Sequence, residues 1–183
     1  GSMGSVDLPN SQINLLKNAV KGLMSDFATY DNGAIKVHIV PFSTEAKPSG
    51  TFTLTDTRGL SGVNAYLDAM LSGGMTNYED PMQEAIEWLT GPGPLGGNAI
   101  TTTYFIFDGE PNRYINAAGK VSSGSVSLVM GEITGKDGTN EAARLKSLSD
   151  KVIAIGINTD DSIENLNVID SQGSALNITD PGE

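Results

Sequence analysis

The stretch that most constrains this chain is Thr102-Thr103-Tyr104-Phe105-Ile106-Phe107-Asp108-Gly109-Glu110-Pro111-Asn112, a run of β-formers that stops at an acidic residue and a turn. A short apolar run bounded by turn residues predicts a buried strand. In an open α/β sheet, ligands sit just beyond the carboxyl ends of such strands. Asp108 therefore stands where a carboxylate serves a site instead of a core.

Helical and extended patterns alternate around that strand. Asn10 or Ser11 is a fitting N-cap for a helix running to about Thr29, with Ile13, Leu16, Val20, Leu23 and Phe27 on one apolar stripe. Residues 34–42 and 51–55 are predicted strands of a hairpin at a sheet edge, Pro41 marking an edge or a bulge. A helix is expected over 60–71, with Val63, Leu67 and Met70 inward. The Gly-rich loop 72–77 then leads into a helix over about 80–89, with Pro81 in its first turn. Residues 91–98 form a Gly- and Pro-rich loop. Residues 113–135 are expected to be an irregular excursion with a little helix near 129–133. A helix over 141–148, a buried strand over 152–157, a short helix over 162–169 and an edge strand over 175–178 complete the pattern.

This alternation predicts one domain over residues 1–183, an α/β doubly wound fold with a mostly parallel sheet and helices on both faces. One element is missing. A doubly wound domain starts with a strand in the middle of its sheet, whereas this chain goes from a loop straight into a helix. The first central strand is expected upstream of residue 1.

Composition narrows the partners. The 22 acidic residues outnumber the 11 basic ones, giving a net charge of −11. Such a surface repels phosphate backbones, which argues against nucleic acid, and attracts divalent cations. No apolar run approaches the roughly 20 residues that span a bilayer, so no membrane insertion is expected. Cysteine is absent, which removes disulfides, thiolate zinc sites and cysteine nucleophiles together.

Three segments together resemble the von Willebrand factor A-type domain: Gly73-Gly74-Met75-Thr76-Asn77, Phe107-Asp108-Gly109 and the opening Gly1-Ser2-Met3-Gly4. The resemblance implies a metal-ion-dependent adhesion site at the carboxyl edge of the sheet. Thr76 matches its second motif, Asp108 its third, and Gly1-Ser2-Met3-Gly4 the tail of its first, Asp-x-Ser-Gly-Ser. On that reading Ser2, Thr76 and Asp108 hold Mg²⁺ or Ca²⁺, and a ligand presenting a carboxylate completes the shell. Hard cations take oxygen ligands, and Mg²⁺ keeps several waters, which suits such a donor set. Phrases such as Thr76-Asn77-Tyr78-Glu79-Asp80 and Ala154-Ile155-Gly156-Ile157 look most like the A-type domain of giant RTX-type bacterial adhesins that leave the cell by type I secretion. This resemblance implies cell adhesion, a secreted or bacterial cell-surface location, and neighbouring domains of the same long chain.

The first motif carries an open alternative. Either the chain begins inside a native Asp-x-Ser-Gly-Ser-Met, or Gly1-Ser2-Met3 is a cloning scar and its match is accidental. Thr76 could also simply cap the next helix, and Asp108 could be a turn residue. His38, the only histidine, reads as structural, since it offers neither a metal cluster nor a triad. Trp88 and Tyr78 read as packing residues; lining the ligand surface is the alternative for Tyr78, given its neighbour Thr76. Asp137, Asp160, Asp161 and Glu110 read as solvated loop acids. There is no Gly-x-Ser-x-Gly elbow and no phosphate loop, so catalysis, a hydrolase included, is not expected. The competing function is a structural spacer of the same adhesin whose metal site is vestigial.

Overall fold

The computed structural model describes residues 4, 11–30, 34–55, 57–91, 99–135, 140–157, 159 and 163–178. Three parallel strands form the main sheet. These are β3 (Thr102–Phe107), β6 (Lys151–Ile157) and β7 (Leu176–Ile178), hydrogen-bonded in the order β3-β6-β7. Thr103 lies opposite Val152, and Phe105 opposite Ala154. Val152 and Ala154 are fully buried, as expected of a strand inside an α/β core.

Helices α3 (Glu79–Thr90), α4 (Val126–Ile133), α5 (Glu141–Leu148) and α6 (Ile163–Ile169) supply most of that core. Met82 and Ile86 of α3, Ile133 of α4, Leu145 of α5 and Leu166 of α6 gather round Phe105 and Phe107. The parallel α/β architecture is the one the sequence predicts.

A second apolar cluster stands apart. It joins α1 (Gln12–Phe27), α2 (Thr57–Ala69) and the antiparallel hairpin of β1 (Lys36–Val37) and β2 (Phe52–Thr53), with Met24, Leu54, Val63 and Leu67 at its centre. The hairpin forms as expected, but it makes its own two-stranded sheet. Pro41 lies beyond the end of β1, where pairing is reduced to the Lys47 N–H on its carbonyl at 2.8 Å and an isolated bridge between Phe42 and Ala46. Helix α2 starts three residues earlier than the sequence suggests, because Gly59 lets it close on β2. A Cβ there would sit 1.7 Å from the Thr53 carbonyl oxygen.

Residues 113–135 correct the expectation of an irregular excursion. They hold a second hairpin, β4 (Arg113–Ile115) with β5 (Val121–Ser123), followed by α4. The Asn116 side chain accepts from Ala118 and Lys120 N–H and closes the hairpin turn. Ser125 caps α4 by accepting from Leu128 N–H at 3.3 Å. Short strands with little apolar alternation leave no period to read.

Between the two clusters, among the described residues, lies a cavity of about 520 Å³. It is walled by α1, by the segment 35–43 and by β3. Among the described residues, no helix is long and apolar enough to cross a membrane.

Candidate functional site

Thr76 and Asp108 both line this cavity, Asp108 at the carboxyl end of β3. Asp108 follows the last residue of β3 and is half-buried. Thr76 sits on the loop before α3, in a frame that fixes its backbone on both polar atoms. Its N–H donates to Asn112 Oδ1 at 3.1 Å, and its carbonyl accepts from the N–H groups of Asn112 and Arg113, both at 2.9 Å.

The other side of the loop is tied to the end of the first hairpin segment. Met75 N–H donates to Thr44 Oγ1 at 3.0 Å, and Asn77 N–H to the Ser43 carbonyl at 2.8 Å. Gly74 makes this close approach possible: it has φ +89, and a Cβ would meet Ser43 Oγ at 2.9 Å. The Thr76 loop is thus braced between the carboxyl ends of two extended segments.

The helix cap falls to the neighbouring residue. Asn77, fully buried, accepts from Glu79 N–H at 3.1 Å and Asp80 N–H at 3.4 Å. That side chain satisfies amides that Thr76 would serve as a cap. The Thr76 hydroxyl makes no hydrogen bond among the described residues, and Thr76 lines the cavity. Sequence reasoning singled out neither Asn77 nor Asn112. An Asn just before a helix that starts with two acids is the usable signal for the first; Asn112 has none, because its partner lies 36 residues away.

Tyr78 is a packing residue, 1 % exposed, edge-on to Phe107 at 4.6 Å. Its hydroxyl donates to the Gly109 carbonyl at 2.8 Å and so holds the turn that follows Asp108. Burial pushes its pKa far up, and the nearby charges of Asp108 and Glu110 add to the shift. The phenol therefore stays neutral and donating. Glu110 is exposed. His38 stacks on Trp88 with centroids 5.0 Å apart, and burial lowers its pKa, which keeps the ring neutral. Trp88 donates to Thr51 Oγ1 at 2.8 Å. Ser2, Asp137, Asp160 and Asp161 lie outside the described residues.

The donor set suits a hard cation. Among the described residues no three His, Cys, Asp or Glu side chains converge, so an ion here has to be held by hydroxyl and carboxylate oxygens with water in the remaining positions. The Thr76 hydroxyl and the Asp108 carboxylate fit that chemistry.

A family model for the von Willebrand factor type A domain matches residues 2–182. No curated protein matches the chain. Among solved structures, the pilus adhesin SpaC from Lactobacillus rhamnosus GG, in its open conformation, is similar with a TM-score of 0.69 and 12% identity. That match covers 93% of this chain and 26% of the adhesin. A second structure of the same adhesin gives a TM-score of 0.68 at 12% identity, with the same coverage. The chain thus spans about a quarter of the adhesin's length, and the likeness is one of fold.

Proposed function

This chain belongs to the von Willebrand factor type A domain family, and from that premise we propose that it is an adhesion module which holds an acidic ligand through a divalent cation. What supports the reading is that Thr76, on a loop clamped by Asn112, and Asp108, just after β3, both line the cavity. The clamp sets Thr76 in place before any ligand arrives, which lowers the ordering cost of binding. Asp108 supplies the negative charge, and Tyr78 fixes the turn behind it. A bound Mg²⁺ or Ca²⁺ would supply an open coordination position for the ligand's carboxylate. Ser2 joins these two as the third ligand in this reading. The parent is a large exported bacterial surface adhesin of the RTX type, leaving by type I secretion, with neighbouring domains on the same chain and with no catalytic role for this one. The fold shared with a pilus adhesin supports the adhesive part of this reading.

The test is capture of the protein on a surface coated with an acidic peptide. Capture should require Mg²⁺ or Ca²⁺, reverse with EDTA and disappear in Asp108→Ala. Equal capture with and without the ion would leave the module as a structural spacer.

A further inference from the structure

Two carboxylates are buried where α3, α5 and the second hairpin meet. Glu79 opens α3 and is 2 % exposed; Glu141 opens α5 and is 5 % exposed. The side-chain amide of Gln83 lies between them, its Nε2 donating to Glu79 Oε1 at 3.1 Å and to Glu141 Oε1 at 3.2 Å. Glu79 Oε2 accepts from Ile115 N–H at 2.7 Å. The remaining oxygen, Glu141 Oε2, is buried and has no hydrogen-bond partner among the described residues.

Among the described residues neither carboxylate has an ion-pair partner. The charges that act on Glu79 are those of Glu141 on α5, Glu132 on α4 and Asp80 on its own helix, all acidic. The bases on the surrounding elements are turned elsewhere. Arg113 of β4 donates to the Asn112 carbonyl at 2.8 Å, Lys146 of α5 to the Val168 carbonyl at 2.6 Å, and Arg144 of α5 is exposed. Tyr114 of β4 lies against Gly124. The amide end of each helix favours a negative charge in its first turn. Two buried carboxylates that share one amide nevertheless repel, and the second ionises against the charge of the first. One proton on the pair removes that repulsion, and the bare oxygen of Glu141 leaves room for it.

The two helix starts are not equally tied. The start of α3 is fixed by the Asn77 cap, by buried Tyr78 and by Ile115 N–H, which an ionised Glu79 holds at least as well as a neutral one. The start of α5 rests on the shared amide and on Asn140, which accepts from Ala143 N–H at 3.0 Å and Arg144 N–H at 2.9 Å. Ala143 and Arg144 are exposed, whereas Leu145 keeps the rest of the helix in the core. A second negative charge therefore acts on the first turn of α5 and leaves the hairpin in place.

We propose that Glu79 and Glu141 form a proton latch: a single proton held by the two carboxyl groups closes the first turn of α5 against α3, and its release to solvent frees that turn. The latch needs no cation, so its test is run in EDTA and its outcome is separate from that of the adhesion reading.

Burial pushes the folded Glu79 carboxyl to about 7 from its ordinary 4.5, so the latch is shut below the lower value and opens as pH rises through the higher one. Amide exchange is followed by NMR, each rate divided by that of the unfolded chain at the same pH. Protection at Ala143 and Arg144 should fall at least tenfold between about pH 5 and about pH 8, while Ile115 keeps its protection. Glu79→Gln and, separately, Glu141→Gln should hold Ala143 and Arg144 protected at both values, in protein shown folded by circular dichroism. Constant protection of these two amides in the unaltered protein would overturn the proposal, as would the same fall in both variants. A fall shared equally by Ile115 and by Ala154 of β6 would be a loosening of the whole fold and would overturn it too. So would protection at the higher pH restored by millimolar Ca²⁺ in place of EDTA, which would make the pair a cation site.

Discussion

Asn112 does for Thr76 what no spacing in the sequence announces. Its side-chain oxygen takes the Thr76 N–H while its own N–H goes to the Thr76 carbonyl. Asn112→Ala leaves the Thr76 amide without its acceptor, a loss of about 1–2 kcal/mol. It should lower the melting temperature by a few degrees and weaken Mg²⁺ binding about tenfold, equivalent to ~1.4 kcal/mol, as measured by calorimetry. A conservative Asn112→Asp restores the acceptor and should recover most of the affinity. The places of Thr76 before α3 and of Asp108 after β3 were legible in the sequence, because each lies beside a clear element. Their brace was not, because a hydrogen bond between residues 36 apart leaves no local pattern.

At the scale of elements, Glu79 joins α3 to the second hairpin. It is 2 % exposed, accepts from Ile115 N–H at 2.7 Å, and shares the Gln83 amide with Glu141. Burial raises its pKa from 4.5 to about 7; Glu141, Glu132 and Asp80 add to the rise, and the Ile115 N–H opposes it. With a folded value above the unfolded one, the fold binds the extra proton between them. Its contribution to stability is complete below pH 4.5 and is lost as pH rises through about 7. Denaturant titrations should show the protein losing about 1–2 kcal/mol between about pH 5 and pH 8, with Glu79→Gln flattening that slope. An unchanged slope in the variant would place the titrating group elsewhere. Most elements were legible here: α1, α3, α5, β3 and β6 carry strong periodicity or long apolar runs. The β4–β5 hairpin and the early start of α4 were not, since their strands are three residues long and gain order from the turn at Asn116 and the cap at Ser125.

At the scale of the whole molecule, the arrangement of the two cores explains where a site can form. One core is built on β3 and β6, the other on α1, α2 and the first hairpin, and they meet at the Thr76 loop on the rim of the cavity. The parallel α/β order was legible from the alternation of helices and strands. That the first hairpin would stand as its own two-stranded sheet was not, because its pairing rests on bonds such as Lys47 N–H to the Pro41 carbonyl that leave no local pattern. The central claim, a cation site on that rim, is tested most directly by following backbone amide NMR signals while Mg²⁺ is titrated into the protein and into Asp108→Ala. Saturable shifts confined to residues 73–77 and 108–113, absent in the variant, are the expected result. Saturation with no response in those two segments, or the same response in Asp108→Ala, would contradict it.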